Sequence, residues 1–240
     1  NSRFAPRGQR TIGDNGETLL IDSYRIEPCV CNVEATQIMQ SRVAQLRANS
    51  GMLARELEHT LGDIVLRGEG STAMIAAAQD MIGRKPFGIL TVYGGPGNGK
   101  TLVMQGLANY FIGLGQVAKY RKLSALIDDL RDGYRDGKFE ATPRFREYAT
   151  SKFLGIDEFD KVHLTGYAEK IVDDLIGERH RYGREYGDAQ CFTVIAMNNE
   201  RLSFESLPSH ILSRLRDGLN TDNGNRVIHN TDTDCRQDGL

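Results

Sequence analysis

The feature that most constrains the fold of this 240-residue chain is a glycine-rich loop, Gly94-x-x-x-x-Gly99-Lys100-Thr101. A strand-sized apolar run, 87–93, precedes the loop, and a helical pattern follows it. Glycine lets backbone N–H groups close on phosphate oxygens, lysine adds a positive charge, and a threonine hydroxyl can bind Mg²⁺. The positive end of the helix dipole also favours an anion. The loop therefore predicts a site for a nucleotide, with contacts from Gly95, Pro96, Gly97, Asn98, Gly99, Lys100, Thr101 and Leu102.

Length and composition suit one α/β domain with flanking segments. The net charge of −2 argues against a chain that is coated in nucleic acid, although it does not exclude a local basic stripe. No apolar run approaches the roughly 20 residues that cross a bilayer, which predicts no membrane partner. The four cysteines are scattered without the spacing of a disulfide framework. We expect a cytoplasmic protein.

Apolar strands alternate with helical patterns over most of the chain. Strands are predicted at 87–93, 116–120, 153–156 and 192–197, and helices at 100–112, 123–131 and 165–182. This alternation predicts an αβα sandwich with a central parallel sheet. Before it, 33–61 is helical with a break at 50–51, and a helix at 71–82 starts with Ser71 as N-cap and ends at Gly83. Short strands are predicted at 18–21 and 226–229.

Two carboxylates, Asp157 and Glu158, follow the apolar strand 153–156 directly. Ligands in parallel sheets bind beyond the carboxyl ends of the strands, so this pair is expected to face the glycine-rich loop. Asp157 would hold Mg²⁺ together with Thr101, and Glu158 would act as general base toward the attacking water. The alternative is a solvated turn after a core strand. The pair favours hydrolysis over simple binding.

Further candidates follow the strand 192–197. An amide at Asn198 or Asn199 can contact the γ-phosphate or the attacking water, and we favour Asn198; the alternative is a turn cap. Arg214 lies on a short helix and is suited to enter the site of a neighbouring subunit as an arginine finger. A surface arginine is the alternative for Arg214, and more so for Arg216.

The motifs GGPGNGKT, FLGIDEFD, VIAMNN and LPSHILSRLRDG, in this order, resemble those of the AAA+ ATPases. More narrowly, over about 50–236, the chain is similar to replicative helicase loaders of the DnaC/DnaI type and to the related IstB transposition ATPases. The resemblance implies a P-loop ATPase fold that binds ATP and Mg²⁺. It places Lys100 and Thr101 in Walker A, Asp157 and Glu158 in Walker B, Asn198 at the first sensor and Arg214 at the finger. Arg236 is a weaker match to a late arginine of such loaders.

The resemblance also implies a domain organisation. Residues 1–49 would be an N-terminal segment, 50–236 the ATPase domain and 237–240 a tail. Only 26 residues follow Arg214, so a helical lid is expected to be absent, as in helicase loaders. Loaders often carry an N-terminal zinc module, of which Cys29 and Cys31 would be a remnant; two ligands do not close a tetrahedral site, and no metal is expected there.

Basic and aromatic residues follow the second predicted strand, where they suit a track for single-stranded DNA. They are Lys119, Tyr120, Arg121, Lys122, Arg131, Tyr134, Arg135 and Lys138. The alternative is a solvated face, because Asp128, Asp129, Asp132 and Asp136 interrupt the series. The leading hypothesis is an oligomeric loader that binds single-stranded DNA and a replicative helicase. The alternatives are a transposition ATPase that recruits a transposase and an adaptor that hydrolyses ATP negligibly.

Overall fold

The computed structural model describes residues 4–6, 24–26, 33–83, 88–131, 134–135, 138–139, 142–185, 189–198, 207–218 and 224–234. The strands are β1 (Phe4–Pro6), β2 (Tyr24–Ile26), β3 (Ile89–Tyr93), β4 (Ala118–Lys122), β5 (Tyr134–Arg135), β6 (Lys138–Phe139), β7 (Phe153–Asp157), β8 (Phe192–Met197) and β9 (Arg226–His229). The α-helices are α1 (Val33–Asn49), α2 (Glu69–Ile82), α3 (Lys100–Gly113), α4 (Leu123–Leu130), α5 (Pro143–Thr150), α6 (Tyr167–Gly183) and α7 (Ser209–Leu215). Short 3₁₀ turns cover Ala54–Glu58, Leu61–Asp63 and Phe159–Lys161.

Five parallel strands form the central sheet in the order β4-β7-β8-β3-β9. In register, Lys122 lies beside Asp157 and Tyr93 lies beside both Met197 and His229. The carboxyl ends of adjacent strands therefore meet at one edge of the sheet. This arrangement brings the glycine-rich loop, the acidic pair and Asn198 to the same edge, as the sequence predicts.

The sheet is covered on both faces, which explains why its inner strands are apolar at nearly every position. Leu90 and Val92 of β3 face a core that includes α2 and α3, whereas Ile89 faces a core that includes α4, α5, α6 and α7. In β8, Val194 packs on the first side and Ile195 on the second. The predicted αβα sandwich is confirmed.

A fully buried arginine braces the strands that carry the site. Arg179 of α6 donates to Thr193 Oγ1 at 2.7 Å, to the Ser151 carbonyl at 2.8 Å and to the Phe192 carbonyl at 2.5 Å. Burial lowers the pKa of the Arg179 guanidinium to about 10. The charge is satisfied by carbonyl and hydroxyl oxygens, so α6 is fixed to the starts of both β7 and β8.

Helix α1 and the segment 53–63, which we term the bridging segment, pack on α3. Val43 and Leu46 of α1 contact the α3 core, and Arg42 Nε donates to the Gly115 carbonyl at 2.7 Å. Asn109 of α3 donates to the carbonyls of Glu56 and His59 in the bridging segment, at 2.8 Å each. The predicted break at 50–51 is confirmed, but the second helix is reduced to two 3₁₀ turns.

The predicted N-cap of α2 is wrong. Helix α2 begins at Glu69, and Ser71 lies in its first turn, where its hydroxyl accepts from the Arg67 N–H at 2.9 Å. The N–H groups of Gly70 and Ser71, in the first turn of α2, instead donate to the Asp232 carboxylate, at 3.2 and 2.7 Å. The cap comes from a residue distant in sequence, which a local pattern cannot reveal.

Two further elements differ from the sequence analysis. Strand β4 runs two residues beyond the predicted end, to Lys122. Helix α5 was not predicted; it begins after Thr142, whose side chain accepts from the Phe145 N–H, and has Pro143 in its first turn. The helices predicted at 100–112, 123–131 and 165–182 are confirmed as α3, α4 and α6, and the strand predicted at 226–229 is confirmed as β9. The predicted strand at 18–21 lies outside the described residues, as do Cys29, Cys31, Asn199 and Arg236.

Over the described part of the chain, none of the helices combines the length and apolar character that a bilayer span requires. The absence of a lid and the domain boundaries stay predictions.

Candidate nucleotide-binding site

The glycine-rich loop joins β3 to α3 at the carboxyl edge of the sheet. Gly94 and Gly97 have φ values of 142° and 75°, which side chains rarely tolerate. A Cβ at Gly94 would lie 1.9 Å from the Asn230 carbonyl oxygen, and one at Gly97 would lie 1.6 Å from Asp234 Oδ1. Both positions therefore favour glycine for conformation, and Gly94 also requires it for space, because the atom that its Cβ would meet belongs to the backbone. Pro96 is exposed at the tip of the loop.

The ammonium group of Lys100 lies inside this loop. Its Nζ donates to the carbonyls of Gly94 and Gly95, at 2.9 and 2.6 Å, and to Asn98 Oδ1, at 2.8 Å. Asn98 is itself buried and donates to the Asn230 carbonyl at 2.9 Å. The loop is thus wrapped around a positive charge at the first turn of α3, which suits it to bind an anion.

The Asp157 carboxylate is the junction between the loop and the neighbouring strands. Asp157 Oδ2 accepts from the Thr101 hydroxyl and from the Tyr120 hydroxyl, at 2.8 Å each. Asp157 Oδ1 accepts from the Glu158 N–H, also at 2.8 Å. Burial, followed by the charge of Asp157, raises the pKa of Tyr120. The sequence predicted that Asp157 and Thr101 meet, but not that Tyr120 joins them.

Glu158 has a strained backbone: its φ of 52° is the one positive value among non-glycine residues of the described ranges. Its carboxylate accepts from Lys122 Nζ at 2.8 Å, and this hydrogen bond raises the pKa of Lys122. Both side chains are partly exposed to solvent.

A pocket of about 140 Å³ opens beside the glycine-rich loop 94–101, which we term the phosphate loop. Its lining combines predicted loop residues with side chains from 63–67, the start of α2 and the chain after β9. It is lined by Asp63, Ile64, Val65, Arg67, Ser71, Asn98, Gly99, Leu102 and Asp232. Asn98, Gly99 and Leu102 were predicted to contact the nucleotide, and the structure places all three here.

The segment 230–234, which we term the strap, crosses the phosphate loop after β9. Buried Asn230 donates to the Asn98 carbonyl at 2.9 Å, and its own N–H donates to the Tyr93 carbonyl at 2.8 Å. Asp232 caps α2, and the Asp234 carboxylate lies directly over Gly97. The sequence analysis missed the strap, because nothing local marks a polar segment as the partner of a distant loop.

Asn198 directly follows β8, and its N–H donates to Asp160 Oδ1 at 3.1 Å. Asp160 therefore links the ends of β7 and β8, a role that was not predicted from the sequence.

Arg214 on α7 forms an ion pair with Asp173 of α6 in the same chain, with His210 nearby at 3.6 Å from Asp173. The structure thus does not join Arg214 to the other predicted site residues.

The predicted DNA track on β4 is wrong for its buried members. Lys119 is buried, forms an ion pair with Glu147 and donates to the Asn49 carbonyl at 2.7 Å. Tyr120 is buried against Asp157, and Arg121 is largely covered. Successive side chains of a strand point to opposite faces of the sheet, and here both faces are covered. Lys119 finds its partners on α1 and α5, Tyr120 on β7, and Arg121 at Asp129 of α4 and the Ser50 carbonyl. Lys122 and Arg131 are exposed; the side chains of Tyr134, Arg135 and Lys138 lie outside the described part.

The donors at this edge fit a nucleotide with a divalent cation. The loop presents backbone turns that only glycine can form, and Lys100 supplies the positive charge. Thr101 donates its hydroxyl hydrogen to Asp157, which leaves its oxygen lone pairs for a cation. Hydroxyl and carboxylate oxygens are the ligands that Mg²⁺ prefers.

Comparison with known families identifies the domain. The model of the AAA family, ATPases associated with various cellular activities, matches residues 90–222, more than half of the chain. The chain belongs to the AAA family of ATPases. Membership of this family supports nucleotide binding by the domain, and the phosphate loop and the acidic end of β7 are the candidate site. No curated protein sequence matches this AAA chain significantly.

Solved structures share its fold. DnaI has 16% identity and a TM-score of 0.58, over 75% of this chain and 95% of that one. The DnaC helicase loader has 15% identity and a TM-score of 0.57, over 75% and 100%. The replication initiator DnaA bound to AMPPCP and single-stranded DNA has 14% identity and a TM-score of 0.55, over 72% and 49%. The AAA chain spans about half of the length of the initiation proteins that it matches.

The position of Asp234 predicts that it opposes nucleotide binding. Replacing Asp234 with Asn removes a negative charge that would lie beside the bound phosphates, so we expect ADP and ATP to bind about three- to tenfold more tightly. Equilibrium titration with a fluorescent nucleotide measures this. Asp217→Asn is the matched control, because Asp217 bonds to His180 and Arg184 near the opposite edge of the sheet. Unchanged or weaker binding by Asp234→Asn would contradict the prediction.

Proposed function

We propose that this chain is an ATP-dependent loader of a replicative helicase, which hydrolyses ATP at the loop 94–101 and the Asp157–Glu158 pair. The observation that carries the hydrolytic part is the junction at Asp157. One hydrogen bond ties Asp157 to Thr101 of the loop, and the next residue along the chain is a carboxylate open to solvent. This arrangement offers a cation site and a base side by side.

In the proposed reaction, Lys100 and the loop N–H groups hold the β- and γ-phosphates, and the pocket beside Leu102 takes the nucleoside. Thr101 and Asp157 would hold Mg²⁺, which neutralises charge on the phosphates when bound. Glu158 accepts a proton from water as the water oxygen attacks the γ-phosphorus. The bond between the γ-phosphorus and the oxygen that bridges to the β-phosphate breaks, and ADP and inorganic phosphate are the products. Asn198, at the end of β8, is proposed to contact the γ-phosphate or this water.

Besides the motifs, the share of each solved structure that this chain matches supports the loader assignment. The match covers nearly all of DnaI and all of the DnaC helicase loader, whereas it covers about half of DnaA. A replicative helicase is the proposed protein partner. Single-stranded DNA is the second proposed partner, on the strength of the resemblance to loaders and the DNA-bound DnaA structure. Lys122 and Arg131, rather than the buried residues of β4, are the basic side chains available for it.

The partner is tested by passing this chain over an immobilised hexameric replicative helicase, with ATP, with ADP and without nucleotide. We expect the chain to be retained with ATP and released without it, because the loop and the strap respond to the bound phosphates. Lys100→Ala is the control that should not be retained under any condition. Absence of binding by the unmodified chain in all three conditions would overturn the loader assignment, and retention on a transposase instead would favour the transposition ATPase.

Arg214 is proposed to act on the nucleotide of a neighbouring subunit, exchanging Asp173 for phosphate oxygens. Alone, Arg214→Ala and Lys100→Ala should each lose nearly all ATP turnover, because an arginine finger contributes about 10³–10⁵ to kcat. Mixed in equal amounts, they should recover up to about a quarter of normal activity, since that share of interfaces pairs an intact loop with an intact finger.

Arg216→Ala, altered just beyond the same helix, is the matched control and should keep its activity unmixed. Activity of Arg214→Ala alone, or no recovery in the mixture while both variants still fold, would show that Arg214 is not a finger acting between subunits. Circular dichroism of each variant before mixing establishes that the loss of the Asp173 contact has not unfolded α7.

A further inference from the structure

The Asp157 carboxylate accepts a hydrogen bond from a buried side chain of the neighbouring strand. Tyr120, on β4, is 6% exposed and donates its hydroxyl to Asp157 Oδ2 at 2.8 Å. The same oxygen accepts from Thr101, and the other oxygen accepts from the Glu158 N–H. With three donors from three directions, the carboxylate has one orientation. Tyr120 is the donor that comes from a neighbouring strand rather than from the loop or from Glu158.

A buried tyrosine needs one partner for its hydroxyl, and a backbone carbonyl would be sufficient. Here the hydroxyl is directed instead at the carboxylate that the proposed function uses to hold a cation. Groups that orient such a ligand contribute to affinity although they do not touch the cation, and their loss lowers metal affinity about 10- to 100-fold.

We propose that Tyr120 is a positioning residue of the nucleotide site, which orients the Asp157 carboxylate. This inference rests on the proposed function, in that Asp157 is taken to hold the cation of bound ATP. Its consequence is that strand β4, outside the phosphate loop, contributes to the cation site through the Tyr120 hydroxyl.

The test is the effect of Mg²⁺ on nucleotide affinity, measured without turnover by titrating a fluorescent ADP with Mg²⁺ and with EDTA. Tyr120→Phe keeps the ring and removes the hydroxyl. We expect the gain in affinity that Mg²⁺ brings to fall about tenfold, with affinity in EDTA unchanged. Tyr148→Phe is the matched control, because Tyr148 is also buried and donates its hydroxyl to a carboxylate, that of Asp129, away from the loop.

A gain from Mg²⁺ that is unchanged in Tyr120→Phe would overturn the proposal, as would an equal loss in Tyr148→Phe, which would indicate a general effect on packing. Failure of the unmodified chain to bind the nucleotide at all would instead reject the proposed function.

Discussion

The arrangement of the carboxyl edge of the sheet depends on the hydrogen bonds that the Asp157 carboxylate accepts. It is the last residue of β7, and it receives one hydroxyl from the helix after the phosphate loop and another from β4 on its other side. Parallel strands bring these groups to one edge, but only a buried acceptor holds them in register. A negative charge there is tolerated because three hydrogen bonds satisfy it. In the proposed function the same bonds would orient the carboxylate for a cation, so that one group would serve both the stability of this edge and its chemistry.

The strap adds a second constraint on the phosphate loop. Asn230 and Asn98 exchange hydrogen bonds between the side chain of each and the carbonyl of the other, which ties the loop to the end of β9. Asp232 connects the same segment to the start of α2. Phosphates that enter the loop would meet Asp234 over Gly97, so like charges would press the strap away. A nucleotide-dependent change at the loop therefore has a physical route to α2 and β9.

The sequence predicts the parts of this molecule that depend on local pattern. Strand β8, helix α3 and the meeting of Thr101 with Asp157 follow from apolar runs and from the fixed geometry of a parallel sheet. What it misses depends on partners distant in the chain. Lysine is usually found at the surface, yet Lys119 is buried and paired with Glu147 on the unpredicted α5. Serine is a common N-cap residue, yet the cap of α2 comes from Asp232 rather than from Ser71. The pairing of Arg214 with Asp173 likewise depends on how two helices pack.

Whether the acidic end of β7 is a hydrolytic site is decided by comparing ATP binding and ATP turnover in Glu158→Gln. Glu169→Gln, on the surface of α6, serves as control. We expect Glu158→Gln to bind ATP as tightly as the unmodified chain but to lose at least about a hundredfold in turnover, because the base that accepts the proton from water is gone. Unchanged turnover in Glu158→Gln would show that Glu158 is not this base.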